Sequence, residues 1–175
     1  MPLSIPPGVD ALGRRNFIFV PTDTLSVATL TGPTAVDLAC YLTKGTFGVT
    51  SDTQRGTDER ECTLVAAEVM GNTTYGMNDL EYVWEPQDTT GTSTTNKALN
   101  LLGPRTGGTT GFIIVRYGIA QDTALAAGQK VDKLPVTLGP QLPKSVDGSN
   151  PAEKLKITQS VVINQGAVFG AVLVA

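Results

Sequence analysis

The segment from Ala167 to Ala175 (AVFGAVLVA) constrains the fold more than any other part of the sequence. It contains no charged or strongly polar residue. Side chains alternate between the two faces of a strand, so a strand formed here would be apolar on both faces. Such a strand is not expected at an open surface, where it would expose an apolar patch along an unpaired edge. The fold must therefore cover both faces of this last strand.

The composition indicates a β-rich protein whose surface is polar but carries few charges. Charged residues make up 17% of the chain, below the roughly 25% that is usual for soluble domains. Threonine, serine, asparagine and glutamine must therefore cover much of the surface. Few surface charges lower the desolvation cost of bringing identical subunits together. The net charge of -3 and the lack of a basic stripe argue against binding to nucleic-acid phosphates.

Residue types for catalysis or metal binding are scarce. Histidine is absent, which excludes Ser-His-Asp and Cys-His catalysis, and no phosphate-binding loop or dinucleotide fingerprint occurs. Cys40 and Cys62 cannot complete a four-ligand zinc site without further ligands. We expect two buried free thiols, or a cross-strand disulfide if their strands pair. The sequence predicts a protein with no enzymatic activity, no cofactor and no metal site.

The first residues, MPLSIPPGVD, lack the basic and apolar regions of a signal peptide. No apolar run approaches the roughly 20 residues of a membrane span. We therefore expect a chain without a membrane anchor that is made and assembled in a cytoplasm. The prolines and glycines between Met1 and Arg15 predict an extended arm rather than a helix or a paired strand.

The first half of the chain is predicted to contain short strands and one long loop. Strands are expected at residues 17–20 and 25–30. Residues 34–43 suit either a strand or a helix, and their Thr, Val, Cys and Tyr content favours a strand. Residues 44–61 are polar, interrupted by glycine and longer than a hairpin turn, which predicts a long loop.

The second half predicts the short helix and the most apolar strands. The helix is expected to begin at Thr95 and to end before Gly103-Pro104. Gly111 to Tyr117 (GFIIVRY) is almost continuously apolar, which indicates burial on both faces. Further strands are predicted at 63–70, 79–85, 133–138 and 155–163, with a turn at 71–76 and a long connection at 139–151. The result is one domain over residues 1–175: all-β with one short helix, an antiparallel β-sandwich or an open barrel.

Several consecutive phrases of the sequence resemble one protein family. They are ECTLVAAEVMGNTTYGMNDLEYVWEPQD, TNKALNLLGP, TTGFIIVRYGIA, KVDKLPVTLGPQLPK and KLKITQSVVINQGAVFGAVLVA. Together and in this order they are similar to the major tail tube proteins of siphoviruses that infect actinobacteria. The resemblance implies a β-sandwich of two antiparallel sheets with a helix at its flank. It also implies a structural virion protein whose hexameric rings stack into the phage tail tube, the conduit for genome ejection.

The resemblance also implies particular surfaces and partners. In the family, a long loop between two early strands contacts the next ring, and the N-terminal arm often does the same. The corresponding ring-stacking residues here are Lys44, Asp52, Gln54, Arg55, Asp58, Glu59 and Arg60. An inner barrel shared by all subunits would cover the second face of the last strand, so the expected subunit-interface residues are Val168, Phe169, Val172 and Val174. The implied partners are other copies of the chain, the tape measure, tail terminator and tail tip proteins, and double-stranded DNA in non-specific transit.

Three other functions remain open from the residues alone. A capsid decoration protein would share the low charge, the β content and the oligomerisation. A β-sandwich carbohydrate-binding module would use Tyr75, Tyr82 and Trp84 as a stacking platform.

The third alternative is a hydrolase that uses a pair of carboxylates as acid and base. Its candidates are the neighbours Asp58 and Glu59, or Glu81 with Glu85. The first pair lies in the charged loop and the second on the half-exposed face of a strand. Both pairs are better interpreted as solvated or ion-paired carboxylates.

Overall fold

The fold is built on two strands that are rich in β-branched and aromatic residues, β1 (Arg15–Val20) and β6 (Thr109–Tyr117). In the computed structural model these strands pair antiparallel, with Phe17 opposite Val115 and Phe19 opposite Ile113. The structure describes residues 13–58, 67–88, 93–146, 149–150 and 152–175. The other elements are α1 (Val27–Leu30), β2 (Val36–Asp37), β3 (Val49–Asp58), β4 (Ala67–Met77), β5 (Leu80–Val83), a 3₁₀ turn (Thr94–Asn96), α2 (Lys97–Leu101), β7 (Lys130–Pro143), β8 (Lys156–Ile163) and β9 (Val168–Val172).

The main sheet is antiparallel and curls into a half-barrel. Its strand order is β2-β1-β6-β7-β8-β5, and β9 pairs with the part of β7 that β8 leaves uncovered. Among the described strands, β3 and β4 pair only with each other. Strands make up 48% of the structure and helix 8%. The predicted all-β class with one short helix is therefore confirmed, as an open barrel.

Residues 38–43 connect β2, at one end of the strand order, with β5, at the other end. The backbone nitrogen of Leu38 donates to the carbonyl oxygen of Phe17 at 2.6 Å, and Leu42 forms an isolated antiparallel bridge with Tyr82. This crossing segment brings the two edges of the sheet together and leads directly into the β3–β4 hairpin.

The central strands are buried on both faces. On β6, Ile113 and Val115 belong to one core cluster, whereas Ile114 belongs to a second cluster on the opposite face. The first cluster fills the half-barrel, and the second lies under α1 and the end of the chain. The burial on both faces that was predicted for Gly111 to Tyr117 is confirmed for Ile113 to Arg116, whereas Phe112 is partly buried and Tyr117 is 48% exposed. Each large side chain buried in this way contributes about 1.5–3 kcal/mol.

A buried hydrogen-bond network holds four elements together inside the barrel. The Tyr82 hydroxyl on β5 donates to Oε1 of Gln159 on β8 at 3.0 Å. The Nε2 of Gln159 donates to the carbonyl oxygens of Leu102, after α2, and Gly139, on β7, at 3.2 and 2.9 Å. Burial raises the pKa of Tyr82 well above its ordinary value. Every polar atom of the Gln159 amide thus has a partner, as a buried amide requires.

The strand predicted at residues 25–30 is wrong, because Val27–Leu30 forms the single helical turn α1. The Oγ of Ser26 accepts a hydrogen bond from the backbone nitrogen of Thr29 at 3.1 Å, which caps this turn. The backbone nitrogen of Val27 also donates to the carbonyl oxygen of Val174 at 3.0 Å. The hydrogen bond between the Thr29 backbone and the Ser26 side chain therefore stabilises a helical turn, although the alternation of residue types had predicted a strand.

The strand predicted at residues 34–43 is also mostly wrong, because only Val36–Asp37 pairs with β1. The backbone nitrogens of Tyr41 and Leu42 both donate to the carbonyl oxygen of Leu38 at 2.9 Å, so the chain turns there. Cys40 is exposed rather than buried, and Cys62 lies outside the described residues.

The long loop predicted at residues 44–61 contains a regular strand, since β3 occupies Val49–Asp58. The turn predicted at 71–76 lies inside β4, and residues 63–66 of the strand predicted there are outside the described part of the chain. The connection predicted at 139–151 begins later, because β7 continues to Pro143.

The short helix is present as α2 and follows the 3₁₀ turn. Ser93 rather than Thr95 caps that turn, with Ser93 Oγ accepting from the backbone nitrogen of Thr95 at 3.2 Å. Of the arm predicted from Met1 to Arg15, residues 1–12 lie outside the described part, and Arg15 is the first residue of β1. In the part of the chain that the structure describes, no helix has the length and apolar character needed to span a membrane.

Candidate assembly interface

The β3–β4 hairpin is the most exposed part of the structure. It pairs Val49 with Met77 near the body and Asp58 with Ala67 at the far end of the described ladder. Most of the side chains between these positions are exposed on both strands. Eleven residues of β4 span roughly 35 Å at ~3.3 Å per residue. A two-stranded hairpin is marginally stable alone in water, and this one contacts the body through β4, which lies against β8 and, by Tyr75, against Phe169.

The hairpin carries most of the residues predicted to mediate ring stacking. Asp52, Gln54, Arg55 and Asp58 all lie on β3, and Lys44 lies in the segment before it. Glu59 and Arg60 lie outside the described residues. Nη1 of Arg55 lies 3.6 Å from Oε2 of Glu68, and both side chains are more than two-thirds exposed. An ion pair in that setting contributes little to stability.

The segment formed by β9 and the residues that follow it combines buried and exposed apolar side chains. Leu173 is 1% exposed and belongs to the second core cluster, and Ala171 packs against that cluster. The adjacent Val172 and Val174 are 53% and 57% exposed. Val168 and Phe169, the other predicted interface residues, are 43% and 49% exposed. All four predicted interface residues are thus exposed apolar side chains in β9 or in the residues that follow it.

A β-bulge at Gly170 determines how β9 presents these side chains. The register shifts between Val131 and Lys133 of β7, and Gly170 has a φ of +70°, which only glycine adopts at little cost. The backbone nitrogen of Gly170 donates to Oδ1 of Asp132 at 2.8 Å. The extra residue turns Phe169 towards the hairpin while Leu173 stays in the core.

The hairpin and β9 meet through an aromatic pair. The ring centroids of Tyr75 and Phe169 are 5.3 Å apart, with an interplanar angle of 56°, a favourable tilted geometry. Tyr75 and the turn between β8 and β9 also line a common cleft. The hairpin is therefore in contact with β9 through Tyr75, which is not one of the residues predicted for ring stacking.

Sequence reasoning missed Arg116, the largest fully buried side chain. It is 1% exposed, and its terminal nitrogens bind the connection between β6 and β7. The acceptors are the carbonyl oxygens of Ala120, Thr123 and Ala124, Oε1 of Gln129 and Oδ1 of Asn16. Burial lowers the pKa of Arg116, while Asp37 raises it. The sequence feature that could have indicated the burial of Arg116 is its position as the single arginine in the apolar run GFIIVRY.

The residues proposed for sugar stacking do not form a platform. Tyr82 is fully buried, Tyr75 packs on β9, and the guanidinium carbon of Arg105 lies 5.0 Å from the ring centroid of Trp84. The three aromatic side chains therefore lie in three different environments.

The paired carboxylates considered for hydrolysis are engaged in other contacts. Glu81 forms an ion pair with Lys144, and Oε2 of Glu85 accepts from the Ser93 hydroxyl at 2.9 Å. Asp58 is at the far end of β3, and Glu59 lies outside the described residues.

These features define an antiparallel β protein with an exposed hairpin and exposed apolar side chains on its last strand. The family of phage tail tube proteins matches residues 3–175, so the chain belongs to that family. Membership identifies a structural tail tube protein, a component of the phage virion.

A solved structure with a similar fold is a chain from the anti-feeding prophage baseplate, determined by cryo-EM and 6-fold symmetrised. The identity is 12% and the TM-score 0.52, covering 93% of this chain and 95% of that chain. This likeness concerns the fold alone. No curated protein sequence matches the chain.

Proposed function

We propose that this chain self-assembles into hexameric rings that stack to form the tail tube of a siphovirus with an actinobacterial host, and that the genome is ejected through this tube. The tape measure protein would fill the channel before ejection, and terminator and tip proteins would bind the tube ends. Assembly would take place in the host cytoplasm. The observation that carries the proposal is the β3–β4 hairpin, a long paired element most of whose described side chains the subunit itself leaves exposed.

Contacts within a ring would use the exposed side of β9. Covering the exposed halves of Val172 and Val174 would contribute on the order of 1 kcal/mol for each side chain, before the cost of association. Each interface is repeated around a closed ring, so the small free energies of the individual contacts sum over the whole ring. The neighbour would also cover a sheet edge that would otherwise favour non-specific aggregation.

Dimensions are compatible with a channel for DNA. If each of six subunits contributed about four strands, a barrel of ~24 strands at ~4.8 Å spacing and ~40° tilt would have a backbone diameter of roughly 50 Å. A duplex would fit inside after side chains are added. The net charge of -3 per chain would favour sliding of DNA over adhesion, because like charges repel.

Contacts between rings would use the hairpin. Its described strands carry three acidic side chains and one basic side chain among threonine, glycine and other uncharged residues, so docking on the next ring requires the desolvation of only a few charges. A hairpin that crosses to the next ring would gain the tertiary cover that it lacks in the isolated subunit.

The test is negative-stain microscopy of the purified chain at increasing concentration, with sedimentation velocity on the same samples. Rings and hollow rods of uniform width are expected. Trimers or a persistent monomer would instead favour a capsid decoration protein and would contradict the proposal.

A further inference from the structure

An open groove of about 650 Å³ surrounds Trp84, the single tryptophan of the chain. Its apolar lining comes from Val83, Trp84, Pro86 and Leu155. The backbone nitrogen of Trp84 donates to the carbonyl oxygen of Leu155 at 3.2 Å, and Arg105 covers part of the indole ring. The groove is therefore held between the end of β5 and the beginning of β8.

The groove lies at the beginning of β8, whereas the hairpin joins the body towards the other end of β8. Strand β5 pairs with β8 from Val83, opposite Lys156, to Leu80, opposite Gln159. The chain enters β5 directly from β4, which also contacts β8, and Tyr75 of β4 lies against Phe169 beyond the far end of β8. Copies that stack head to tail would thus place the hairpin of one against the groove of the next.

The far part of the hairpin carries apolar side chains that suit such a groove. Val69 and Met70 of β4 are 46% and 83% exposed, and they lie near the Asp58–Ala67 end of the ladder. Large exposed apolar side chains on an otherwise polar hairpin are typical of residues that are buried by a partner. The groove has room for more than one side chain of this size.

Charge is complementary between the two surfaces. The described hairpin contains the acids Asp52, Asp58 and Glu68 and the single base Arg55, a net charge of -2 by subtraction (three acidic, one basic). The groove is bordered by the exposed bases Arg105 and Lys154. Its acids already have contacts, since Glu153 pairs with Lys156 at 3.5 Å and Glu85 binds Ser93.

We propose that the groove around Trp84 receives the Val69–Met70 part of the β3–β4 hairpin of a second copy in the adjacent ring. This inference rests on the proposed function. It adds the surface that would receive the hairpin, and Trp84 lies at the centre of that surface. The hairpin and the groove are different surfaces of the same subunit, so the contact is heterologous and repeats from copy to copy along an open polymer.

The fluorescence of Trp84 provides a direct test, because no other tryptophan contributes. Acrylamide quenching is measured for rods of the natural chain and for dispersed subunits carrying Val172→Asp, a change on the remote strand β9. Quenching of Trp84 in rods is expected to fall severalfold, since the hairpin would cover the indole. Rods in which Trp84 is quenched as readily as in dispersed subunits would overturn the groove assignment and leave the tube proposal standing.

Paired variants examine both sides of the contact. Met70→Ser and Leu155→Glu are expected to abolish rods but to leave rings, whereas the apolar replacements Met70→Leu and Leu155→Met should retain rods. Both positions are exposed in the subunit, so folding should be unaffected, and this is checked by circular dichroism. Normal rods formed by Met70→Ser and Leu155→Glu would overturn the groove inference. If the natural chain formed neither rings nor rods, the proposed function would be overturned, and the groove inference with it.

Discussion

Tyr75 on the hairpin and Phe169 on β9 are in ring contact, with centroids 5.3 Å apart, although 94 positions separate them in the chain (169 minus 75). This contact joins the element proposed to link rings to the strand proposed to close them. Both rings are partly exposed, so the contact is loose enough for a neighbouring subunit to modify it.

The aromatic pair should fix the orientation of the hairpin. A double-mutant cycle with Tyr75→Ala and Phe169→Ala is expected to give a coupling free energy of about 0.5–1.5 kcal/mol, which is typical for such pairs. Urea unfolding of subunits kept dispersed by Val172→Asp would supply the values. Additive effects of the two changes would show that the hairpin is positioned by other contacts.

The substitution Val172→Asp should abolish ring formation without unfolding the subunit. Val172 is 53% exposed, so the free energy of unfolding should change by about 0.5 kcal/mol or less, whereas a carboxylate buried in an interface is costly. Sedimentation velocity and thermal melting report the two effects. Val146→Asp, at a valine 55% exposed outside the strands, is the matched control and should still assemble. Intact rings with Val172→Asp would place β9 outside the interface.

Shortening the hairpin should separate ring formation from stacking. Thr53 and Thr73 are directly opposite each other, and their hydroxyls are 2.9 Å apart. Residues 54–72 can therefore be replaced by Asn-Gly, a preferred two-residue hairpin turn. No described residue of that segment belongs to either core cluster, so the fold should persist. Microscopy should show rings without rods, and rods of normal length would exclude the hairpin from stacking.

Arg116 should be essential for stability even though it lies in no proposed interface. Arg116→Met leaves several carbonyl oxygens around it without a donor, and a loss on the order of 3 kcal/mol is expected. Urea unfolding measures the loss, and hydrogen exchange should show faster opening of residues 118–129. The exposed Arg14 provides the control, because Arg14→Met should change stability little. A stable Arg116→Met variant would mean that water replaces the lost donor.

Stability should fall in strong alkali because of buried tyrosine. Burial raises the pKa of Tyr82 above its ordinary value of 10.0, so above pH 10 the unfolded chain has lost a proton that the folded chain retains. The free energy of unfolding therefore decreases as pH rises beyond 10. Tyr82→Phe should reduce this slope while costing about 1–3 kcal/mol at neutral pH, because the acceptor Gln159 loses its donor. An unchanged alkaline slope would assign the effect to Tyr41 and Tyr117, whose pKa values burial also raises.

The sequence predicted the core strands well, because their patterns reflect burial. Gly111–Tyr117 is apolar on both faces since two clusters cover it, and residues 155–163 alternate since β8 buries Ile157 and Val161 on one face only. The short helix was found because Ala98 and Leu102 lie one helical turn apart and face the core. In these elements local preference and tertiary burial agree.

The hairpin could not be predicted from a pattern, because a strand exposed on both faces has no hydrophobic period. β3 has the sequence VTSDTQRGTD, which reads as a loop, and only pairing with β4 makes it a strand. The glycines at 71 and 76 indicated a turn for the same reason, although both lie within β4. The sequence predicted a subunit interface on β9 because this segment contains more apolar residues than one core can bury.

A cryo-EM reconstruction of the assembled chain tests the central claim most directly. The account predicts a hollow tube with six copies in each layer, in which Val172 and Val174 contact the neighbour in the ring and the β3–β4 hairpin crosses to the adjacent layer. A chain that stays monomeric at high concentration, or a tube in which the hairpin and the exposed side of β9 face solvent, would contradict it.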